Sequence, residues 1–156
     1  MARKPLRGSQ KSKIGTLRVR SAKTVALALS FRMSNHIPVT ERTFEFAVRI
    51  TKLCSYLDKQ PGTPRLLANQ LFRAGTSIGA NFEESRSAES DKDFISKQSI
   101  ALKEARETRY WLKLLIKSEI ISQEKIDGLL DECEQLIKII AKSIVTTKEK
   151  LNKSLF

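Results

Sequence analysis

Apolar residues recur at alternating intervals of four and three residues in the last third of the chain. The positions are Ile126, Leu130, Cys133, Ile137, Ile140 and Ile144. This spacing keeps apolar side chains on one side of an α-helix and is typical of helices that pack against other helices. Leu129 and Leu136 widen the stripe, as a helix inside a globular bundle requires. Ser122 precedes the pattern and is expected to cap this helix.

A first helix is predicted between an N-cap at Thr40 and about Asp58. It carries two adjacent apolar stripes, and so wide an apolar face indicates contact with more than one neighbour. One stripe comprises Phe44, Ala47, Val48, Thr51 and Cys54, and the other comprises Phe46, Ile50, Leu53 and Leu57.

Two further helices are predicted in the middle of the chain. One opens at Thr63 and Pro64, an N-cap followed by a first-turn proline. Its apolar stripe is Leu67, Leu71, Ala74, Ile78 and Phe82. The other is expected to run from Asp91 to Lys117 with Ser90 as its N-cap. Its stripe is Phe94 or Ile95, Gln98, Leu102, Ala105, Leu112 and Leu115 or Ile116. Four amphipathic helices with short connections predict an all-α, up-down-up-down four-helix bundle.

The second helix contains a run of small residues. Gly75 and Gly79 lie four residues apart, among Ala74, Ser77 and Ala80. A glycine costs an exposed helix interior about 1 kcal/mol relative to alanine. We therefore expect a neighbouring helix to come unusually close to this part of the chain.

The formal net charge of +12 is concentrated at the N-terminus. Residues 1–36 hold nine Lys or Arg and no acid, whereas the other 20 bases and all 17 acids leave residues 37–156 at only +3. A basic arm of this kind can track a phosphate backbone, and its composition also resembles an organellar transit peptide. We favour an unstructured extension. An alternative is that translation starts at Met33, which is followed by the turn-forming residues Ser34, Asn35 and Pro38. Residues 37–156 are then the bundle.

The sequence offers neither a metal site nor a catalytic set. Cys54 and Cys133 are isolated, and His36 is the single histidine, whereas a di-iron bundle needs Glu-x-x-His pairs. Ser77 lacks a partnering base. We therefore expect no cofactor and no enzymatic activity. We also expect reduced cysteines, a cytoplasmic location and no membrane span.

Two blocks of the sequence resemble bacterial four-helix-bundle proteins known as 23S rRNA intervening-sequence proteins. They are QLFRAGTSIGANFEE at residues 70–84 and DKDFISKQSIALKEARETRYWL at residues 91–112. The resemblance covers about residues 40–148. It implies a four-helix bundle without enzymatic activity that assembles into a ring, a homopentamer in the members whose assembly is known.

The family is in turn similar to the accessory protein of diversity-generating retroelements, a basic pentameric bundle that binds a reverse transcriptase and nucleic acid. The present chain departs from that relative in one respect, because its bundle carries a net charge of only +3.

Seven polar residues on the second and third helices form a candidate site. They are Arg73, Ser77, Asn81, Glu84, Gln98, Glu104 and Arg109. One interpretation is a binding site in the groove between these helices. The interpretation that we favour is a network of hydrogen bonds and ion pairs that fixes helix register or subunit contacts.

A second candidate surface surrounds Tyr110 and Trp111, beside Arg106, Arg109 and Lys113. These aromatic residues are either a base-stacking platform or an interface anchor. By resemblance, rRNA or another nucleic acid is the leading partner of an oligomeric, non-enzymatic bundle. The alternative is a protein-binding scaffold or an accessory subunit of a nucleic-acid enzyme. An enzyme of unknown class would need a polar pocket with a strongly perturbed ionisable group.

Overall fold

Four antiparallel helices make up the described part of the chain. The computed structural model describes residues 37–153, and its helices are α1 (Val39–Leu57), α2 (Thr63–Arg86), α3 (Asp91–Lys117) and α4 (Gln123–Lys153). Consecutive helices contact each other, and α4 returns to α1, which closes the bundle. The predicted all-α four-helix bundle is confirmed. The predicted extension at residues 1–36 and the start at Met33 lie outside the described residues.

The predicted ends of the last two helices agree with the structure. The Ser90 Oγ atom accepts a hydrogen bond from the backbone N–H of Asp93 at 3.1 Å and so caps α3, which runs from Asp91 to Lys117 as expected. Helix α4 begins at Gln123, directly after Ser122. Side-chain caps satisfy backbone N–H groups that the first helical turn leaves without partners.

The two N-caps predicted at threonines are wrong by one or two residues. Pro38 is the N-cap of α1, because its carbonyl already accepts the N–H of Arg42 at 3.0 Å, and Thr40 therefore lies inside the helix. Gly62 is the N-cap of α2, so Thr63 is the first helical residue. Gly62 has a φ of 85°, a backbone conformation that glycine adopts without the strain a side chain would cause.

The buried core contains most of the predicted stripe residues, and its main exception is on α1. Phe46, Ile50, Leu53 and Leu57 are fully buried there, whereas Phe44 of the other stripe is 63% exposed. Cys54 is the one residue of that stripe that is buried. The predicted contact with more than one neighbour is confirmed, because α1 packs against both α2 and α4. Phe44 shares a side of α1 with Thr51, which lines the groove at the outer edge of the seam between α1 and α2.

The remaining helices supply the rest of the core. The stripe positions that are buried are Leu71, Ala74 and Ile78 of α2, Gln98, Ala105, Leu112 and Leu115 of α3, and Ile126, Leu129, Cys133, Leu136, Ile140 and Ile144 of α4. Several others are partly buried against this core: Leu67, Phe82, Ile95, Leu102, Ile116, Leu130 and Ile137. Two buried residues of α3, Ala101 and Thr108, were not predicted.

The two glycines of α2 allow α1 to come close, as expected. A Cβ atom at Gly75 would lie 2.7 Å from Cγ2 of Ile50, nearer than real Cβ atoms approach other atoms. A Cβ atom at Gly79 would lie 3.3 Å from the backbone oxygen of Thr43. The neighbour in both cases is α1, and its backbone direction is fixed against α2 by these contacts.

We predict that Gly75→Ala destabilises the bundle by about 1–3 kcal/mol, because the fully buried Ile50 cannot move away. Chemical denaturation followed by circular dichroism measures this cost. Ile50→Ala removes the clashing atoms, so the double variant should lose less stability than the sum of the two single variants. Strictly additive losses would show that the two side chains do not compete for the same space.

Candidate functional site

The outer face of α3 carries a row of basic residues. Lys103, Arg106, Lys113 and Lys117 follow one another at intervals of three, seven and four residues, so they share one side of the helix. All four are exposed. Glu104 lies toward α2 instead, where the charge of Arg73 acts on it. Glu107 is an exception, because it lies one turn after Lys103 at the edge of the row, where its carboxylate accepts a hydrogen bond from Trp111.

One lysine of α4 lies beside this row, across the seam between α3 and α4. The Cys133 thiol donates a hydrogen bond to the Ala105 carbonyl, with an Sγ–O distance of 3.3 Å, and so fixes the register of the two helices. In an antiparallel pair this contact places Gln135 level with Lys103, so Lys138 lies about one helical turn further along α4. Lys138 is exposed and follows Glu134, which reaches Lys113 of α3, by one turn.

We call Lys103, Arg106, Lys117 and Lys138 the basic face. Within residues 37–153 none of these four cations forms an ion pair. Lys113 differs, because its Nζ atom lies 3.4 Å from Oε1 of Glu134. The basic face thus keeps its positive charge available to a partner.

The two aromatic residues of the predicted surface have different environments. Trp111 is half-buried against the core, and its Nε1–H donates a hydrogen bond to Oε1 of Glu107 at 3.1 Å. Tyr110 is 59% exposed, and its ring packs edge-to-face on Trp111 with centroids 5.0 Å apart. Tyr110 lies one turn from both Arg106 and Lys113 on the basic side of α3.

Two of the seven predicted polar residues join α2 to α3. Gln98 is buried and donates through Nε2 to Oγ of Ser85 at 2.7 Å. Glu84 accepts from Nζ of Lys97 at 2.6 Å, and this hydrogen bond and ion pair raise the pKa of Lys97. Neither Ser85 nor Lys97 was among the predicted residues. A polar residue buried on α3 needs a donor or acceptor one helix away, and that requirement was the available signal.

The other predicted polar residues lie in separate groups. Asn81 donates to the carbonyl of Ser77 in its own helix at 2.9 Å. Partial burial raises the pKa of Glu104, the neighbouring Glu107 adds to this effect, and Arg73 opposes it. Arg109 is half-buried and lies near the Cys133 thiol; burial raises the pKa of this thiol, and the charge of Arg109 opposes the rise.

The seven residues thus do not form one hydrogen-bonded network within the described part of the chain. Their role as a site stays a prediction. The bonds from Gln98 to Ser85 and from Lys97 to Glu84 join α2 to α3, and bonds between two helices favour the fixing of helix register.

The seam between α1 and α4 contains a buried charged cluster that sequence reasoning missed. Nε of Arg42 donates to Oε1 of Glu132, and Nη2 of Arg42 donates to Oε1 of Gln135, both at 2.8 Å. Arg49 is buried one heptad further along α1; burial lowers its pKa, and the charges of Glu132 and Glu45 act in the opposite direction. The available signal in the sequence was the spacing of Arg42 and Arg49, which lie seven residues apart and beside the buried stripe.

The described surface has two grooves. The larger, about 610 Å³, lies where α2 meets α3 and is lined mainly by Glu83, Glu84, Glu89, Asp93 and Lys97. The smaller, about 200 Å³, lies between α1 and α2 beside Phe72 and Cys54. Within residues 37–153 no group of three His, Cys, Asp or Glu residues is placed to hold a metal ion.

The two cysteines are poor nucleophiles. Both are buried and free, and burial raises the pKa of each thiol to about 12. The thiolate is the reactive form, and at neutral pH almost none is present at such a pKa.

None of the four described helices has the combination of length and apolar character that crossing a membrane requires.

We predict that Glu132→Ala destabilises the protein by about 3–5 kcal/mol, because it leaves the buried Arg42 without its counter-charge. Glu134→Ala, two residues away on the same helix, is the matched control. It removes only the exposed ion pair with Lys113 and should cost less than about 1 kcal/mol. Denaturant titrations of both variants test this, and equal losses would contradict a special role for the buried pair.

Comparison with known proteins adds a family and a fold relative. The model of the family described as 23S rRNA-intervening sequence protein matches residues 35–142. The chain is also similar to a solved structure, a protein of unknown function from the S23 ribosomal protein family of Bacteroides thetaiotaomicron VPI-5482. The two are 42% identical over 69% of this chain and 98% of that chain, with a TM-score of 0.65. No curated protein matches the chain.

Proposed function

The chain belongs to the 23S rRNA-intervening sequence protein family, and on that premise we propose that it acts by binding RNA through its basic face. The observation that carries this proposal is the segregation of charge on the bundle. Residues 37–156 are nearly balanced in charge, yet Lys103, Arg106, Lys117 and Lys138 lie on one side of the bundle without ion-pair partners among the described residues. Exposed cations in such a row attract the phosphates of a nucleic acid.

The clustering also favours RNA over the alternative of a protein-binding scaffold. A general scaffold has no need to place its cations on one side, whereas a phosphate backbone presents negative charges at regular intervals along a line. The basic segment at residues 1–36 adds positive charge that the same RNA would attract. A role as accessory subunit of a nucleic-acid enzyme would use the same surface.

A binding role rather than catalysis is supported by the chemistry of the described residues. Their thiols are protonated at neutral pH, and the carboxylates of the larger groove have Lys97 as their basic neighbour. Partial burial and the charge of Glu107 raise the pKa of Glu104, and the charge of Arg73 opposes this rise. The cytoplasmic location expected from the sequence stays a prediction.

We also propose that copies of the chain associate through the outer side of α1 and α2. Phe44 is 63% exposed and Phe72 is 43% exposed, and both lie at this seam, on the side of the bundle opposite the basic face. Exposed aromatic residues of this kind commonly mark contact surfaces. Phe44→Glu should reduce the mass measured by sedimentation, whereas Val145→Glu, at an equally exposed apolar site on α4, should not. The homopentameric ring stays a prediction.

Charge reversal tests the RNA proposal with a matched control. The test variant carries Lys103→Glu and Arg106→Glu on the basic face, and the control carries Lys52→Glu and Lys59→Glu at exposed sites on and just after α1. Both variants retain residues 1–36 and undergo the same change in net charge. The measurement is the affinity for a fluorescent rRNA fragment at several salt concentrations.

We expect the test variant to lose about tenfold or more in affinity at moderate salt, because favourable phosphate contacts become repulsive. Its salt dependence should become shallower by about one unit of log–log slope per lost contact. The control should bind nearly as the unaltered protein does. Equal losses in both variants would mean that net charge alone matters, and an unaltered protein that binds no RNA would refute the proposal.

A further inference from the structure

We infer that the basic face takes an unpaired RNA strand rather than a duplex, with a base stacked on Tyr110. This inference rests on the proposed function and specifies the kind of RNA. It starts from the position of Tyr110, which lies seven residues after Lys103 and seven before Lys117, within the row of cations on the outer face of α3. An aromatic ring thus interrupts a line of phosphate-binding side chains.

The ring of Tyr110 is exposed and held from one side. Trp111 packs edge-to-face against it with the ring planes at 74°, and Trp111 is itself fixed by the core and by Glu107. A ring supported in this way loses little freedom when a base stacks on it. Tyr110 is 59% exposed, so a base can reach the ring without displacing a protein side chain.

The cations around the ring match a strand that runs along the helix. From Lys103 to Lys117 the row covers about 21 Å at 1.5 Å per residue, enough for several nucleotides. Arg106 lies one turn before Tyr110 and Lys117 two turns after it, and neither forms an ion pair within residues 37–153, so phosphates on both sides of a stacked base would meet a cation. Alternating phosphate and base contacts of this kind are typical of proteins that bind single strands.

A duplex cannot use the same surface equally well. Its bases are already stacked on each other, and the major groove of A-form RNA is too deep and narrow for side chains to read. Tyr110 would then contact only the sugar-phosphate exterior, where an aromatic ring gains little. The cations would still attract a duplex, so the difference between the two kinds of RNA is expected to reside in Tyr110.

The experiment compares two probes and three proteins. The probes are an unstructured fluorescent RNA of about 12 nucleotides and the duplex formed with its complement, a length within the range that single-strand binders cover. The proteins are the unaltered full chain, Tyr110→Ala and Tyr110→Phe. Trp111 is the only tryptophan of the chain, so its emission reports whether the variants keep the local packing.

We expect the unaltered protein to bind the single strand about tenfold more tightly than the duplex. Tyr110→Ala should lose about tenfold for the single strand and less than about twofold for the duplex, while Tyr110→Phe, which keeps the ring, should bind both as the unaltered protein does. Equal affinity for the two probes, or a Tyr110→Ala variant that binds the single strand undiminished, would overturn this inference and leave the proposed function standing. Failure to bind either RNA would overturn both.

Discussion

Ile50 of α1 lies against Gly75 of α2, and the arrangement of the other helices follows from this close contact. With no side chain at Gly75, the two helices approach until the branched Ile50 fills the space that a Cβ atom would take. Gly79 extends the contact to the backbone of Thr43. With one side of α1 packed against α2, α4 packs against another side of α1. This α1–α4 contact is less extensive than the contacts of the other three helix pairs.

Charged groups rather than aliphatic ones hold part of this looser seam. Arg42 and Glu132 are almost fully buried, and Gln135 uses a further guanidinium N–H. A buried ion pair seldom adds net stability compared with apolar residues of the same size, but a mismatched one is costly. We therefore infer that this cluster of Arg42, Glu132 and Gln135 favours one register of α1 against α4.

Periodicity predicted the helices because helix packing is recorded in the spacing of apolar residues, and the Ser90 cap was visible because its hydrogen bond is local. The caps at Thr40 and Thr63 were mispredicted, since Pro38 and Gly62 satisfy the first turn through the backbone. Pairings between distant residues, such as Arg42 with Glu132 or Gln98 with Ser85, depend on how helices rotate about their axes. Tyr110 and Arg106 were found from the sequence, but the position of Lys138 beside them required the register between α3 and α4.

We propose that a bundle of nearly balanced charge binds RNA because its unpaired cations lie around one exposed aromatic ring, that of Tyr110. Ultraviolet crosslinking in cells, followed by mass spectrometry of the peptides that retain a nucleotide, tests this most directly. Among residues 37–153, the account predicts crosslinked nucleotides on the α3 peptides that contain or adjoin Tyr110. Crosslinks confined to α1 and α2, or a protein recovered with no RNA attached, would contradict it.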